Sequence, residues 1–293
     1  MSAGMDAELN ANAVKAGAGA ERGESISALA KWLKTAPGRY VTEWEQAQFD
    51  TLVADVFGYN AVQLGLPQMN TLRANRMPLT CVAAERFPER SEGAVAQADG
   101  EAGAYRHSQV VSTLEELPFA AQSLDLVVLP HVLEFAEDPH QVLREVERVL
   151  IPEGQIVISG FNPVSLWGAR QALGRLFDSH YLPPQGSFLT LPRVKDWLKL
   201  LSFEINRGNY GCYRPPVGSE KWIARCRFME KAGNRWWPIC GAVYVISAIK
   251  RVRGMRLIGP VWKETRSTVP ALTPAAAPSV PVELVRAAGT LHG

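Results

Sequence analysis

Three positions in this chain combine residue type and spacing in a way that suits chemistry on an open parallel sheet. Gly65 ends a short apolar run, Ala61 to Leu64. A turn there without a Cβ lets backbone approach a ligand closely. Glu85 lies twenty residues further on and closes a second run, Leu79 to Ala84. An acid at that spacing accepts hydrogen bonds from ribose hydroxyls in nucleotide-binding sheets, although any strand end can carry an acid. His131 follows a third run, Leu124 to Leu129, across Pro130. An imidazole titrating near its ordinary value of about 6.5 suits a general base. A packed, hydrogen-bonded histidine is the other reading of that position.

The elements that hold these positions are clearest between Leu117 and Asn162. The run Leu124 to Leu129 carries one acid, Asp125, near its start. Asp138 then suits an N-cap, Pro139 the first helical position, and Gln141 completes a capping-box-like spacing. Val142, Leu143, Val146, Val149 and Leu150 share one helical face. Pro152-Glu153-Gly154 predicts a break, and Gln155 to Ser159 a second buried strand. Strand, helix, turn and strand make a βαβ unit. Val110-Val111 is a further strand candidate. Helices are expected over Thr42 to Phe57 with Gly58 as its stop, over Ser165 to Leu176, and over Arg193 to Leu201. Phe203 to Ile205 and Ala242 to Ile249 read as strands.

The same stretch resembles the second half of the cofactor domain of class I S-adenosylmethionine-dependent methyltransferases, the type 11 group. The matching residues are Leu117-Pro118-Phe119, Ser123 to Val128, Val132-Leu133, Asp138-Pro139, Leu143, Glu145, Arg148-Val149-Leu150, Pro152, Gly154 and Ile158-Ser159. The resemblance implies an α/β fold with a doubly wound, mostly parallel seven-stranded Rossmann-like sheet whose last strand is antiparallel. It implies S-adenosylmethionine as cofactor and methyl transfer as activity. By the same resemblance, Gln63, Gly65, Glu85, Thr113, Leu114 and Pro130 fall at cofactor-binding positions. His131 falls at the rim where the reactive methyl lies, as the candidate catalytic residue.

The chain departs from that family at the first turn, where the pattern is an acid followed by alternating glycines. Here it reads Gln63-Leu64-Gly65-Leu66-Pro67-Gln68-Met69. Gln63 stands for the acid, and Pro67 and Met69 for the later glycines. A proline also removes a backbone donor. The Gln63 side-chain oxygen can still accept from the cofactor's amino group, with a loss on the order of 1 to 2 kcal/mol for the missing charge. Thr113 replaces an aspartate at the adenine position.

The rest of the chain sets bounds. Residues 1–24 read as disordered and 263–293 as a flexible tail. Between them, 25–262 forms one methyltransferase-like domain: N-terminal helices over 25–58, a cofactor-binding core over 59–162, and a C-terminal lobe over 163–262. No apolar run reaches the roughly 18 to 20 residues that span a bilayer, and no basic-then-apolar leader opens the chain. Cys81, Cys212, Cys226 and Cys240 include no CxxC pair, so no metal site is expected, and a reducing cytoplasm suits them.

Charge is uneven. Residues 1–192 hold 14 basic and 23 acidic side chains, whereas 193–266 hold 16 and 5. The basic part could meet phosphates, an acidic partner or only solvent. Lys221 to Phe228 alternates basic and apolar residues, as a basic strand or an interfacial face would. The acceptor is expected to be a small molecule, with Trp44, Tyr181, Tyr210, Tyr213, Trp222, Trp236 and Trp237 as candidate aromatic contacts. Two alternatives stand: a non-catalytic relative serving as a binding or regulatory module, and an RNA or protein methyltransferase using the basic region. Oligomeric state is left open.

Overall fold

The computed structural model describes residues 26, 28–87, 108–176, 181–182, 186–218 and 220–251. The segments expected to be disordered, 1–24 and 263–293, lie outside them. Strands β1 (Asn60–Leu64), β2 (Leu79–Ala84), β3 (Ser108–Val111), β4 (Leu124–Pro130), β5 (Leu150–Phe161), β6 (Phe203–Gly211) and β7 (Val243–Lys250) form one 7-stranded sheet. Their order is β3-β2-β1-β4-β5-β7-β6. Pairing is parallel from β3 through β5, and β7 lies antiparallel between β5 and β6. Strand order reverses between β1 and β4, the switch point where open sheets of this kind take ligands.

The helices are α1 (Ala36–Ala54), α2 (Val132–Phe135), α3 (Pro139–Val149), α4 (Leu166–Leu176), α5 (Leu191–Leu200), α6 (Glu220–Arg225) and α7 (Phe228–Trp236). A helical stretch over 28–33 precedes α1. In α3 the Asp138 carboxylate accepts from the backbone N–H of His140 at 2.9 Å and of Gln141 at 3.1 Å. Val142, Leu143, Val146 and Val149 are fully buried against the sheet. Four such side chains contribute roughly 6 to 12 kcal/mol of gross burial. Glu145 and Arg148, on the same helix, bind the backbone of Leu117 and Phe119 and so fix the loop before β4.

Three expectations change in detail. The predicted break at Pro152 to Gly154 is an irregularity within β5, with Glu153 at φ 66°. Gly58 does not stop α1, which ends at Ala54. It instead lets the chain pass Asp125, whose carboxylate accepts from Tyr59 N and Asn60 N at 2.9 Å each. A Cβ on Gly58 would sit 2.4 Å from that carboxyl carbon. Lys221 to Phe228 is no strand: it runs from α6 through a turn at Cys226 and Arg227 into α7.

The connection from β1 to β2, residues 65–78, contains turns and no helix. A parallel crossover is usually covered by its own helix. Here α1 covers that face: Phe49, Leu52 and Val53 pack with Ala61, Met69, Leu72, Leu126, Val128 and Val157. Polar ties hold the two together. Gln46 donates to Asn70 O at 2.7 Å, Arg73 pairs with Asp50, and Asn75 donates to Val53 O at 2.9 Å.

Candidate cofactor site at the strand ends

The turn after β1 keeps the shape that glycines permit, with only one glycine to make it. Gly65 has φ 68°, and its N–H donates to Ala83 O of β2 at 2.8 Å. Leu66 follows at φ 38°, a left-handed conformation that costs a side-chain-bearing residue energy. Gln63 holds the turn. Its amide nitrogen lies within hydrogen-bond reach of Gly65 O at 3.2 Å, Leu66 O at 2.9 Å and Met69 O at 2.8 Å. Its side-chain oxygen accepts from Thr71 N at 3.0 Å and Thr71 Oγ1 at 2.8 Å. Gln63 is buried, and both ends of its amide are engaged inside the protein. The expectation that its oxygen faces a ligand therefore differs from the arrangement seen.

Beside this turn, the end of β2 contributes Ala84, Glu85, Arg86 and Phe87. Together with Gly65 to Gln68 and with Ile26, Ala30, Lys31 and Lys34 they line a cleft of about 230 Å³. Gly65 and Glu85, twenty residues apart in sequence, thus meet across one opening. The described residues alone give a volume below the roughly 300 to 1,000 Å³ usual for ligand pockets.

The end of β4 is different. Pro130 is buried as the last strand residue and pairs with Ser159. His131 is 1% exposed and left-handed at φ 53°. Its Nε2 lies 2.9 Å from Glu45 of α1, and its Nδ1 lies 2.9 Å from Glu134 of α2. The Glu45 approach is an ion contact rather than an aligned hydrogen bond, since neither its oxygens nor His131 Nε2 has an aligned partner. Glu134 also accepts from Phe161 N, and the Phe161 ring lies 4.3 Å from the imidazole.

Burial opposes the imidazolium, but Glu45 and Glu134 outweigh it and hold the His131 pKa up to about 10. Burial likewise raises the Glu134 carboxyl, against the pull of His131 and the Phe161 N–H. His131 in this form is a buried cation rather than a neutral base on an open rim. Leu66, Phe135, Phe161, Trp167, Leu29 and Tyr40 belong to one buried apolar cluster, which meets the imidazole through Phe161.

Of the remaining expected positions, Thr113 is exposed and Leu114 is 1% exposed within the core beneath α3. Neither lines the cleft among the described residues. Trp44, Tyr210 and Tyr213 line a separate hollow of about 400 Å³ with Glu230 and Lys231. A larger cavity, about 800 Å³, opens beyond α2, where Asp138, His140, Ser187, Phe188, Arg193 and Trp197 line it. Its His140 and Trp197 rings lie 3.9 Å apart. Glu45 and Glu134 were not apparent as site residues from sequence. The i, i+3 spacing of His131 and Glu134 is a signal for the second, but nothing local points to Glu45.

The strand order, the antiparallel seventh strand, and a glycine turn facing an acid at the first two strand ends define a Rossmann-like methyltransferase fold. Residues 69–158 match the family described as a methyltransferase domain. The uncharacterized protein YafS of Escherichia coli (strain K12) is 45% identical over 97 residues, 33% of this chain and 40% of that protein. A malonyl-[acyl-carrier protein] O-methyltransferase of Methylovorus sp. (strain MP688) is 37% identical over 67 residues, 23% of each chain. The matched stretches thus span less than half the length of these curated relatives.

Among solved structures, a chain of the complex between the Haloferax volcanii Trm112 methyltransferase activator and a methyltransferase aligns at TM-score 0.51 and 14% identity. That alignment covers 78% of this chain and 98% of that one. The YcgJ protein of Bacillus subtilis aligns at TM-score 0.50 and 19% identity, covering 72% and 99%. These likenesses establish the fold alone.

An S-adenosyl cofactor has a nucleoside half and an amino-acid half. The cleft residues fit the first: a carboxylate at the β2 end for ribose hydroxyls, and a glycine that admits close backbone approach. They do not fit the second in this arrangement. Gln63 is engaged internally, and Leu66, His131 and Phe161 occupy the space beside β4.

Proposed function

We propose that the protein is an S-adenosylmethionine-dependent methyltransferase acting on a small molecule in the cytoplasm. The observation that supports this most directly is the meeting of Gly65 and Glu85 in one cleft at the switch point of a methyltransferase fold. Glu85 would accept from ribose hydroxyls, and the Gly65 turn would let the nucleoside approach the backbone. When bound, the cofactor supplies an electrophilic methyl on a sulfonium, and the chain supplies proximity and orientation. The cavity of about 800 Å³ beside Phe188 and Trp197 is in the range for a small-molecule acceptor. His131 serves as a positioning residue that ties α1 to the β4 end, and the α1 cover has to shift before the amino-acid half can enter. Four free cysteines suit a reducing compartment.

A second reading is favoured by one specific observation. The buried His131, Glu45 and Glu134 cluster, with Phe161 against it, lies at the β4 end, where the resemblance puts the reactive methyl. A non-catalytic relative that keeps the fold as a binding module has no need to open it.

Calorimetric titration with S-adenosylmethionine and S-adenosylhomocysteine separates the two. The enzyme reading expects saturable binding that Glu85→Gln weakens by on the order of ten-fold. Absence of heat and of thermal stabilisation at millimolar ligand assigns the chain to the second reading.

A further inference from the structure

The C-terminal lobe carries a surface that the cofactor cleft does not explain. Within α6, α7 and the turn that follows, Trp222, Phe228, Trp236, Trp237 and Ile239 are between 58% and 69% exposed. The same stretch presents Lys221, Arg225, Arg227, Lys231 and Arg235, all exposed, beside the half-buried acid Glu230. The two sets interleave on shared faces. Arg225 lies over the Trp222 ring at 5.9 Å. Phe228, Lys231 and Arg235 fall at i, i+3 and i+7 of α7, opposite the buried Gly233.

This face is seated firmly. A Cβ on Gly233 would sit 2.3 Å from the Tyr213 ring, so α7 lies directly on that residue. Tyr213 in turn donates to Pro238 O at 2.8 Å. Asn162, at the end of β5, donates to Ile239 O at 2.7 Å and to Gly241 O at 2.9 Å, and accepts from Val164 N at 3.1 Å. Asn162 thus ties the end of β5 to the turn that carries Ile239.

We propose that this face docks the protein on an anionic phospholipid bilayer. Exposed tryptophans among arginines and lysines, on short helices lying along a surface, are what an interfacial contact requires. The rings enter the headgroup region while the cations meet lipid phosphates. Cations held near such a surface each strengthen attachment, and five against few acids suit reversible binding. Among the described residues no helix is long and apolar enough to cross a membrane, so the contact is peripheral. This inference stands apart from the methyl-transfer reading.

The test is flotation of the full chain with vesicles of phosphatidylcholine alone or mixed with phosphatidylglycerol. The expected result is uptake on the mixed vesicles only, falling as salt rises, with a blue shift of tryptophan emission. Lys231→Glu with Arg235→Glu lowers uptake by at least about ten-fold. Trp236→Ser with Trp237→Ser lowers uptake and removes most of the blue shift, and unchanged melting temperatures show that both variants fold. Uptake that ignores phosphatidylglycerol overturns the proposal. So does single-stranded RNA binding without vesicle uptake, or self-association through this face without vesicle uptake.

Discussion

The two halves of the strand-end surface have opposite characters. At the ends of β1 and β2 the chain leaves a cleft, and the groups bordering it are a glycine turn, a carboxylate and flanking lysines. At the ends of β4 and β5 the same sheet is sealed. A histidine is held between two buried glutamates, with the Phe161 ring tilted against it and α1 drawn over it. In a fold whose ligands bind across both halves, the contrast separates recognition from access. Under the proposed function the open half would select a nucleoside, while the sealed half would decide whether the rest of the cofactor enters. The seal also depends on a missing element. Residues 65–78 form no helix, and α1 takes the vacated face, which brings Glu45 to His131.

The largest way to break this comparison is His131→Ala. Removing the cation leaves two buried carboxylates facing each other, and loss of one partner of a buried pair typically costs about 3 to 5 kcal/mol. Urea unfolding should show a loss of that size. A change under about 1 kcal/mol would mean that the cluster does not hold the rim.

Next is Gln63→Glu, which supplies the acid that the resembled family carries at this turn. Here a carboxylate would face three carbonyl oxygens that now lie around an amide nitrogen. The expected loss is about 1 to 3 kcal/mol in the same assay. A neutral or stabilising result would show that the turn can adopt the family's own geometry.

A smaller effect is expected from pH. His131 binds its proton more tightly folded than unfolded, so its contribution is complete below its ordinary value of 6.5. It is lost as pH rises toward about 10. The groups around it are Glu45, Glu134, Cys212 and Tyr244. Burial raises Glu134, Cys212 and Tyr244, and each of these works in the same direction over its own range. Melting temperature should therefore decline between pH 6.5 and about 8.5, below the thiol and phenol ranges. A flat profile that His131→Gln does not alter would argue against a charged imidazole.

The smallest effect on stability belongs to the open half. Glu85→Gln should shift unfolding by less than about 1 kcal/mol, because the amide keeps the shape of a half-buried side chain that borders a cleft. Its consequence is expected in ligand titration instead. A large loss of stability there would make Glu85 a structural residue and erase the contrast.

Much of the sheet was legible from sequence. Apolar runs ending at Leu64, Ala84 and Leu129 mark β1, β2 and β4, because strands buried on both faces need unbroken apolar side chains. Asp138-Pro139 and the spacing of Val142, Leu143, Val146 and Val149 mark α3, because a cap and a buried stripe are local properties. The region over α6 and α7 was not legible as helix. Its alternating cations and aromatics fit a strand as well as two short helices, and only seating on Tyr213 and Asn162 decides between them.

The candidate site divides in the same way. Sequence alone set Gly65 and Glu85 at strand ends twenty residues apart, since strand length and turn chemistry are written in neighbouring residues. It also set His131 just past β4. It did not determine what His131 faces. Glu45 is 86 positions away in the chain and reaches the imidazole only because α1 packs where a crossover helix is absent. Nor did it determine that Gln63 turns inward to the carbonyls of its own loop. Long-range packing fixes the solvation and charge of a side chain. The sequence therefore named the groups, and the tertiary structure decided which of them remain open to a ligand.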